Sequence, residues 1–285
     1  MSEHKDTHFA IVFPGQGSQS VGMLSGLAEA FPLVGDTFAE ASEVLGYDLW
    51  ELVQAGPADM LNQTDRTQPA MLAAGVAVWR CWQARNGALP AVMAGHSLGE
   101  YTALVCAGAI EFPAAVGLVA ERGRCMQTAV PAGIGAMAAI LGLDDAAVTA
   151  VCTRAAEADI VTPVNYNSPG QVVIAGHAAA VERAVALARE AGAKRAVQLP
   201  VSVPSHCALM EPAAEQFAAR LNATAISRPQ VAVLQNVDAA AHDQPAAIRD
   251  NLSRQLYSPV HGVQTVQAMG GQGITRIVEA GPGKV

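Results

Sequence analysis

Aromatic residues make up only 5% of this 285-residue chain, although 51% of it is hydrophobic. The apolar content therefore rests on Ala, Val and Leu, a composition typical of helix-rich α/β enzymes and one that excludes disorder. Positive charge is also scarce, with 17 Lys and Arg against 25 Asp and Glu and a net charge of −8. A surface built to hold phosphates needs a basic field, so nucleic acid is excluded as a partner. The five cysteines, Cys81, Cys106, Cys125, Cys152 and Cys207, contain no CxxC pair. Neither a zinc site nor a disulfide framework is implied, and no metal is expected. No apolar segment follows the polar start Met1-Ser-Glu-His-Lys-Asp-Thr-His8. A secretory signal is therefore not expected, and the location is expected to be cytoplasmic. The uncharged run from Cys125 to Leu143 approaches the length of a membrane span but is broken by Pro131, Gly133, Gly135 and Gly142. It is expected to form two soluble elements joined by a turn, with no membrane partner. There is no internal repeat.

What is present is an alternation of short β-favouring runs and helical patterns. Phe9-Ala-Ile-Val-Phe13 reads as a buried strand ending in the turn Pro14-Gly-Gln-Gly-Ser-Gln19. Helical periodicity, interrupted by Pro32, Gly46 and Pro57, runs from Val21 to about Leu61, and a further helix is expected from Pro69 to Arg85. Ala91 to Gly95 reads as a second strand and Glu100 to Ala109 as an apolar helix. Between Gly133 and Ser202 the pattern is strand, helix, strand, strand, helix, strand, which is the ferredoxin-like order. Downstream, helices are expected over Pro212–Asn222 and Ile248–Leu256, and strands over Val231–Leu234 and Ile274–Glu279. The expected fold is α/β: an α/β-hydrolase-like parallel-sheet body, 1–130 and 201–285, with an inserted ferredoxin-like small subdomain, 131–200, and a cleft between them. The end at Val285, directly after a Gly-Pro-Gly-Lys turn, suggests that the natural chain continues as a helix.

The motif Gly95-His-Ser-Leu-Gly99 falls on a strand-turn-helix junction. There a serine sits at the tip of a tight elbow, and the helix N-terminus behind it offers N–H groups to a developing oxyanion. Ser97 is accordingly the candidate nucleophile. His96 is its neighbour in sequence, but adjacent residues on an elbow point in different directions, so the base must come from elsewhere. Among the seven histidines, His206 is set apart by lying where the chain leaves the last strand of the insertion and re-enters the body. From its position alone, a base and a structural histidine remain equal alternatives. No Asp near it completes a triad, which leaves a backbone carbonyl or an amide to orient its ring. Arg122 belongs to Arg122-Gly-Arg124, which interrupts an apolar helix beside the same cleft. It can clamp a carboxylate, or be a surface arginine at a helix end.

Taken together, Phe13-Pro-Gly-Gln-Gly-Ser-Gln19, Gly95-His-Ser-Leu-Gly-Glu-Tyr101, Glu121-Arg-Gly-Arg124, Asn165-Tyr-Asn-Ser-Pro-Gly-Gln171, Val201-Ser-Val-Pro-Ser-His206, Arg254-Gln-Leu-Tyr-Ser-Pro-Val260 and Gly281-Pro-Gly-Lys284 stand in an order and spacing that resemble the malonyl-CoA:acyl carrier protein transacylases, over nearly the whole chain. The resemblance implies ping-pong transfer of malonyl from malonyl-CoA, through an ester on Ser97, to the phosphopantetheine thiol of acyl carrier protein. It implies His206 as base and acid, steadied by the backbone carbonyl of Gln255. It further implies an oxyanion hole from the N–H groups of Gln16 and Leu98, and pairing of Arg122 with the malonyl carboxylate. No cofactor is implied, since malonyl-CoA is a substrate and phosphopantetheine belongs to the carrier protein, and a monomer is expected. Two positions depart from the family: His261-Gly262 replaces the usual aromatic residue after Pro259-Val260, and Ser205 stands where many malonyl-selective relatives carry Phe. A serine esterase or thioesterase is the rival enzyme, with water as acceptor and no task for Arg122. A polyketide-pathway acyltransferase, or a fold kept as a scaffold for carrier proteins, completes the alternatives. Arg189, Lys194 and Arg195 could meet an acidic carrier, though a solvated helix face explains them as well.

Overall fold

The computed structural model describes residues 5–131, 133–201 and 203–283. His4, Ser202, Lys284 and Val285, which figure in the sequence patterns above, lie outside the described residues. In chain order, the first elements are β1 (Lys5–Phe13), α1 (Ser25–Ala30), α2 (Leu33–Leu45), α3 (Leu49–Ala55), α4 (Ala58–Leu61), α5 (Thr64–Ala84), β2 (Leu89–Gly95), α6 (Leu98–Cys106) and α7 (Phe112–Thr128). Next come β3 (Gly135–Leu141), α8 (Asp145–Ala156), β4 (Val161–Ser168), β5 (Gln171–His177), α9 (Ala178–Glu190) and β6 (Arg195–Gln198). The chain closes with α10 (Glu211–Ala223), β7 (Ala232–Leu234), α11 (Pro245–Arg254), α12 (Gly262–Gly271) and β8 (Arg276–Glu279).

Two sheets organise these elements. The first is parallel, in the order β7-β2-β1-β8, with Phe13 opposite Gly95 and Val12 opposite Glu279. Burial on both faces explains why β1 and β2 read as continuous apolar runs instead of alternating ones. Phe38, Leu72, Leu104, Leu118 and Phe217 fill the larger core on one side, while Ala10, Val92, Leu234 and Met269 form a smaller cluster apart from it. The second sheet is antiparallel, in the order β4-β5-β3-β6, and α8 and α9 cover it over a separate core that includes Ile140, Val148, Ile174 and Val181. This is the ferredoxin-like arrangement expected from the strand and helix order. No helix among the described residues is long and apolar enough to cross a membrane.

Two local expectations need correction, and one helix was not foreseen. Helix α5 begins at Thr64, not near Pro69, and runs through the proline. Pro69 removes one backbone donor, but Gln63 opens the helix by accepting N–H bonds from Arg66 and Thr67, and the Thr67 hydroxyl binds Leu61 O at 2.6 Å. Arg122-Gly-Arg124 does not interrupt α7, which continues to Thr128. Gly123 is instead a point of close packing against the α5 backbone, since a Cβ there would lie 2.7 Å from Asp65 Cα. Helix α12 gave no sequence signal, because Gly262, Gly270 and Gly271 and the lack of charge conceal it.

Candidate active site

Ser97 sits between β2 and α6 with φ 51° and ψ −106°, a strained conformation for a residue with a side chain. The flanking glycines make the elbow possible. A Cβ on Gly95 would fall 1.9 Å from the carbonyl carbon of Gly99, and one on Gly99 would fall 2.1 Å from Phe13 O. The start of α6 thus rests on the end of β1, and His96 N–H donates to Phe13 O at 3.0 Å. This contact brings the Pro14–Gln19 turn beside the serine. Gln16, Ser97, Leu98, Arg122 and His206 all line one cavity of about 570 Å³. A larger hollow of about 700 Å³ is an open groove between α2, α5, α7 and α10 that contains none of these residues.

His206 is 2% exposed and has φ 66°. Its Nε2 lies 2.8 Å from Ser97 Oγ, and its Nδ1 lies 2.7 Å from the carbonyl oxygen of Gln255. That carbonyl is available for a physical reason. Gln255 follows the last residue of α11, and the residue four positions later, which would ordinarily donate to its carbonyl, is Pro259 and has no N–H. An acceptor on Nδ1 fixes the tautomer, with the proton on Nδ1 and the lone pair of Nε2 facing the serine. Burial, reinforced by the charge of Arg122, pushes the imidazole down to about 3, so it is neutral at physiological pH. His96 points elsewhere, with Nε2 3.0 Å from Asn167 Oδ1, and burial lowers its pKa as well.

Arg122 is 1% exposed, so the surface alternative does not describe it. Its guanidinium donates to Gln68 Oε1 at 2.9 Å, Gln255 Oε1 at 3.0 Å and Ser97 Oγ at 3.2 Å, above the Tyr101 ring at 5.2 Å. Its Nε is buried and without a partner. Burial lowers its pKa while Tyr101 and Glu100 oppose that, and a guanidinium remains charged regardless. The N–H groups of Gln16 and Leu98 face no backbone acceptor among the described residues.

Several participants escaped the sequence reading. Gln68 reaches Arg122 only because α5 starts early and Gly123 lets α7 pack close to it. Asn236 accepts from Ser97 N–H at 2.7 Å and donates to Gly95 O at 2.6 Å, holding the elbow on both sides. Glu100 is fully buried three residues beyond the serine, and burial pushes its carboxyl up to about 7 against the pull of its hydrogen-bond donors and of Arg122. The one available signal was a carboxylate in an otherwise apolar helix; the remaining contacts join residues more than fifty positions apart. His261 stacks on Tyr166, with ring centroids 5.7 Å apart and planes 2° from parallel. Arg189, Lys194 and Arg195 lie exposed outside the cavity, and Arg189 donates to Ala196 O at 2.8 Å.

Residues 10–282 match the model of the acyl transferase domain family. The malonyl CoA-acyl carrier protein transacylase of Salmonella typhimurium is 60% identical over 279 residues, which cover 98% of this chain and 90% of the relative. Its namesake in Bacillus subtilis is 46% identical over 277 residues, covering 97% and 87%. The crystal structure of an acyl carrier protein S-malonyltransferase from Vibrio cholerae superposes with a TM-score of 0.96 at 61% identity, covering 98% of this chain and 91% of that one. A malonyl-transacylase solved in complex with its type II PKS acyl-carrier protein gives a TM-score of 0.97 at 57% identity, covering 98% and 90%.

Proposed function

The chain belongs to the acyl transferase domain family, and from that premise we propose that it transfers malonyl from malonyl-CoA to the phosphopantetheine thiol of an acyl carrier protein through an ester on Ser97. The observation that carries this reading is the hydrogen-bonded row Ser97 Oγ, His206 Nε2 and Nδ1, Gln255 O, with Arg122 against the same hydroxyl. Separate cores support its division into a catalytic body, 1–130 and 201–285, and a small subdomain, 131–200.

In the first half-reaction Ser97 Oγ attacks the thioester carbonyl and its proton passes to His206 Nε2. The imidazolium keeps its Nδ1 proton on the Gln255 carbonyl, at the negative end of α11. The oxyanion takes the N–H groups of Gln16 and Leu98. Collapse expels the coenzyme A sulfur, which leaves with the proton held on Nε2, and malonyl remains as an ester. In the second half the carrier's thiol gives its proton to Nε2 as its sulfur attacks the ester, and the serine oxygen recovers the proton on leaving. The malonyl carboxylate takes the guanidinium donors of Arg122, including the buried Nε. An acetyl group would leave those donors unmet at a cost of about 1–3 kcal/mol, which favours the dicarboxylic substrate. Malonyl-CoA and the carrier's phosphopantetheine are both substrates here, and no step calls for a cofactor.

Incubation of the protein with malonyl-CoA, followed by peptide mass spectrometry, is expected to place one malonyl group on Ser97 and none on Ser97→Ala. A folded, unmodified wild type would overturn the mechanism. Adding holo acyl carrier protein is expected to discharge the ester onto the carrier; release of free malonate in its place would favour the thioesterase. Fatty-acid and polyketide carriers offered in competition tell the two pathways apart.

A further inference from the structure

The steps above leave Glu100 without a task, although it is a fully buried carboxylate in the centre of the site. All three of its hydrogen-bond partners donate: Asn236 N–H at 2.7 Å and Gln255 Nε2 at 3.0 Å to Oε2, and Gln235 Nε2 at 2.9 Å to Oε1. The Gln255 side chain continues the path. Its Nε2 also donates to Ser97 O at 3.0 Å, and its Oε1 accepts from Arg122 at 3.0 Å. A single amide therefore separates a buried guanidinium from a buried carboxylate.

This spacing answers an electrostatic problem. A guanidinium removed from water needs a compensating charge. Among the described residues no carboxylate ion-pairs with Arg122, and a direct pair would occupy the donors that a substrate carboxylate must use. In its ionised form, which its three donors favour against the cost of burial, Glu100 supplies the opposite charge one amide away. It also fixes which way that amide faces, because acceptor oxygens at Glu100 require the NH2 of Gln255 on their side and hence its carbonyl on the side of Arg122.

We propose that Glu100 is a positioning residue for malonyl selectivity, holding Arg122 through the Gln255 amide while leaving the guanidinium open to the substrate carboxylate. The proposal rests on the reading of Arg122 as the malonyl clamp. Its competitor is a purely architectural role, in which Glu100 secures the elbow through Asn236. That role would affect every acyl group alike.

The test compares Ser97 acylation rates from malonyl-CoA and acetyl-CoA in wild type, E100Q, R122A and the double variant. R122A is expected to lower the malonyl-to-acetyl ratio. E100Q is expected to lower it by about tenfold, the scale of one charge-assisted hydrogen bond, and to add nothing further in the R122A background. Equal loss of both acyl groups in E100Q, or ratios that multiply in the double variant, overturns the proposal and leaves the clamp intact. An unchanged ratio in R122A overturns the clamp and the proposal together. Q255L cuts the same path from its other end while keeping the backbone carbonyl on His206. It serves if E100Q does not fold, and a wild-type ratio in folded Q255L also overturns the proposal.

Discussion

The two sheets of this protein cover very different interiors. Beneath α8 and α9 the antiparallel sheet buries Ala, Val, Ile, Leu and Cys, and in its strands and helices the one buried polar side chain among the described residues is Asn165, at the rim facing the cleft. Beside the parallel sheet lie Gln68, Glu100, Arg122, His206, Gln235, Asn236, Asn251 and Gln255, all at most 3% exposed. A polar network in low dielectric is rigid when every member has a partner and destabilising when one is missing. The small body can therefore be altered as a packing problem, whereas the large one couples packing to chemistry.

That contrast can be broken at either end. His206→Ala should produce the largest effect, slowing Ser97 acylation by about 10²–10⁴-fold, measured by rapid quench with malonyl-CoA. A rate within a few-fold of wild type would remove the base from the polar interior. Ile174→Ala is expected to cost about 2–5 kcal/mol of stability, read by denaturant unfolding, with the acylation rate of the folded fraction nearly unchanged. A comparable loss of rate would mean that the dry core also tunes the chemistry. The smallest effect is one that should not occur. An ordinary histidine takes up a proton near pH 6.5, but His206, held down to about 3, should show no NMR titration between pH 8 and 5. The sign for stability follows: unfolded His206 binds a proton that the native ring refuses, so the native state loses stability as pH falls from about 6.5 toward 3. Titration of its ring near 6.5 would show that the site is wetter than its burial implies.

The unequal interiors also explain what the sequence could reveal. Strands β1 and β2 and the alternation from β3 to β6 were legible because apolar periodicity is local, and Ser97 was legible because an elbow needs its glycines within two residues on either side. Glu100, Gln235 and Asn236 were not, because their partners are brought together by the fold from remote positions, Gln235 binding Glu100 across 135 residues. Gln255 was only half seen. The resemblance pointed to its carbonyl, but its side chain, spanning Ser97, Glu100 and Arg122, is visible only once α11 is docked.

Where the small sheet meets the body, Val260 N–H donates to Val164 O at 2.8 Å and Tyr166 N–H donates to Val260 O at 3.0 Å, a short parallel bridge at Asn165. Five residues before Val260 stands the Gln255 carbonyl that holds His206. The antiparallel sheet is thus sewn to the very segment that aims the imidazole, and two further ties hold it there: Asn167 Oδ1 lies 3.0 Å from His96 Nε2, and Cys207 is buried among Met137, Val164 and Val173.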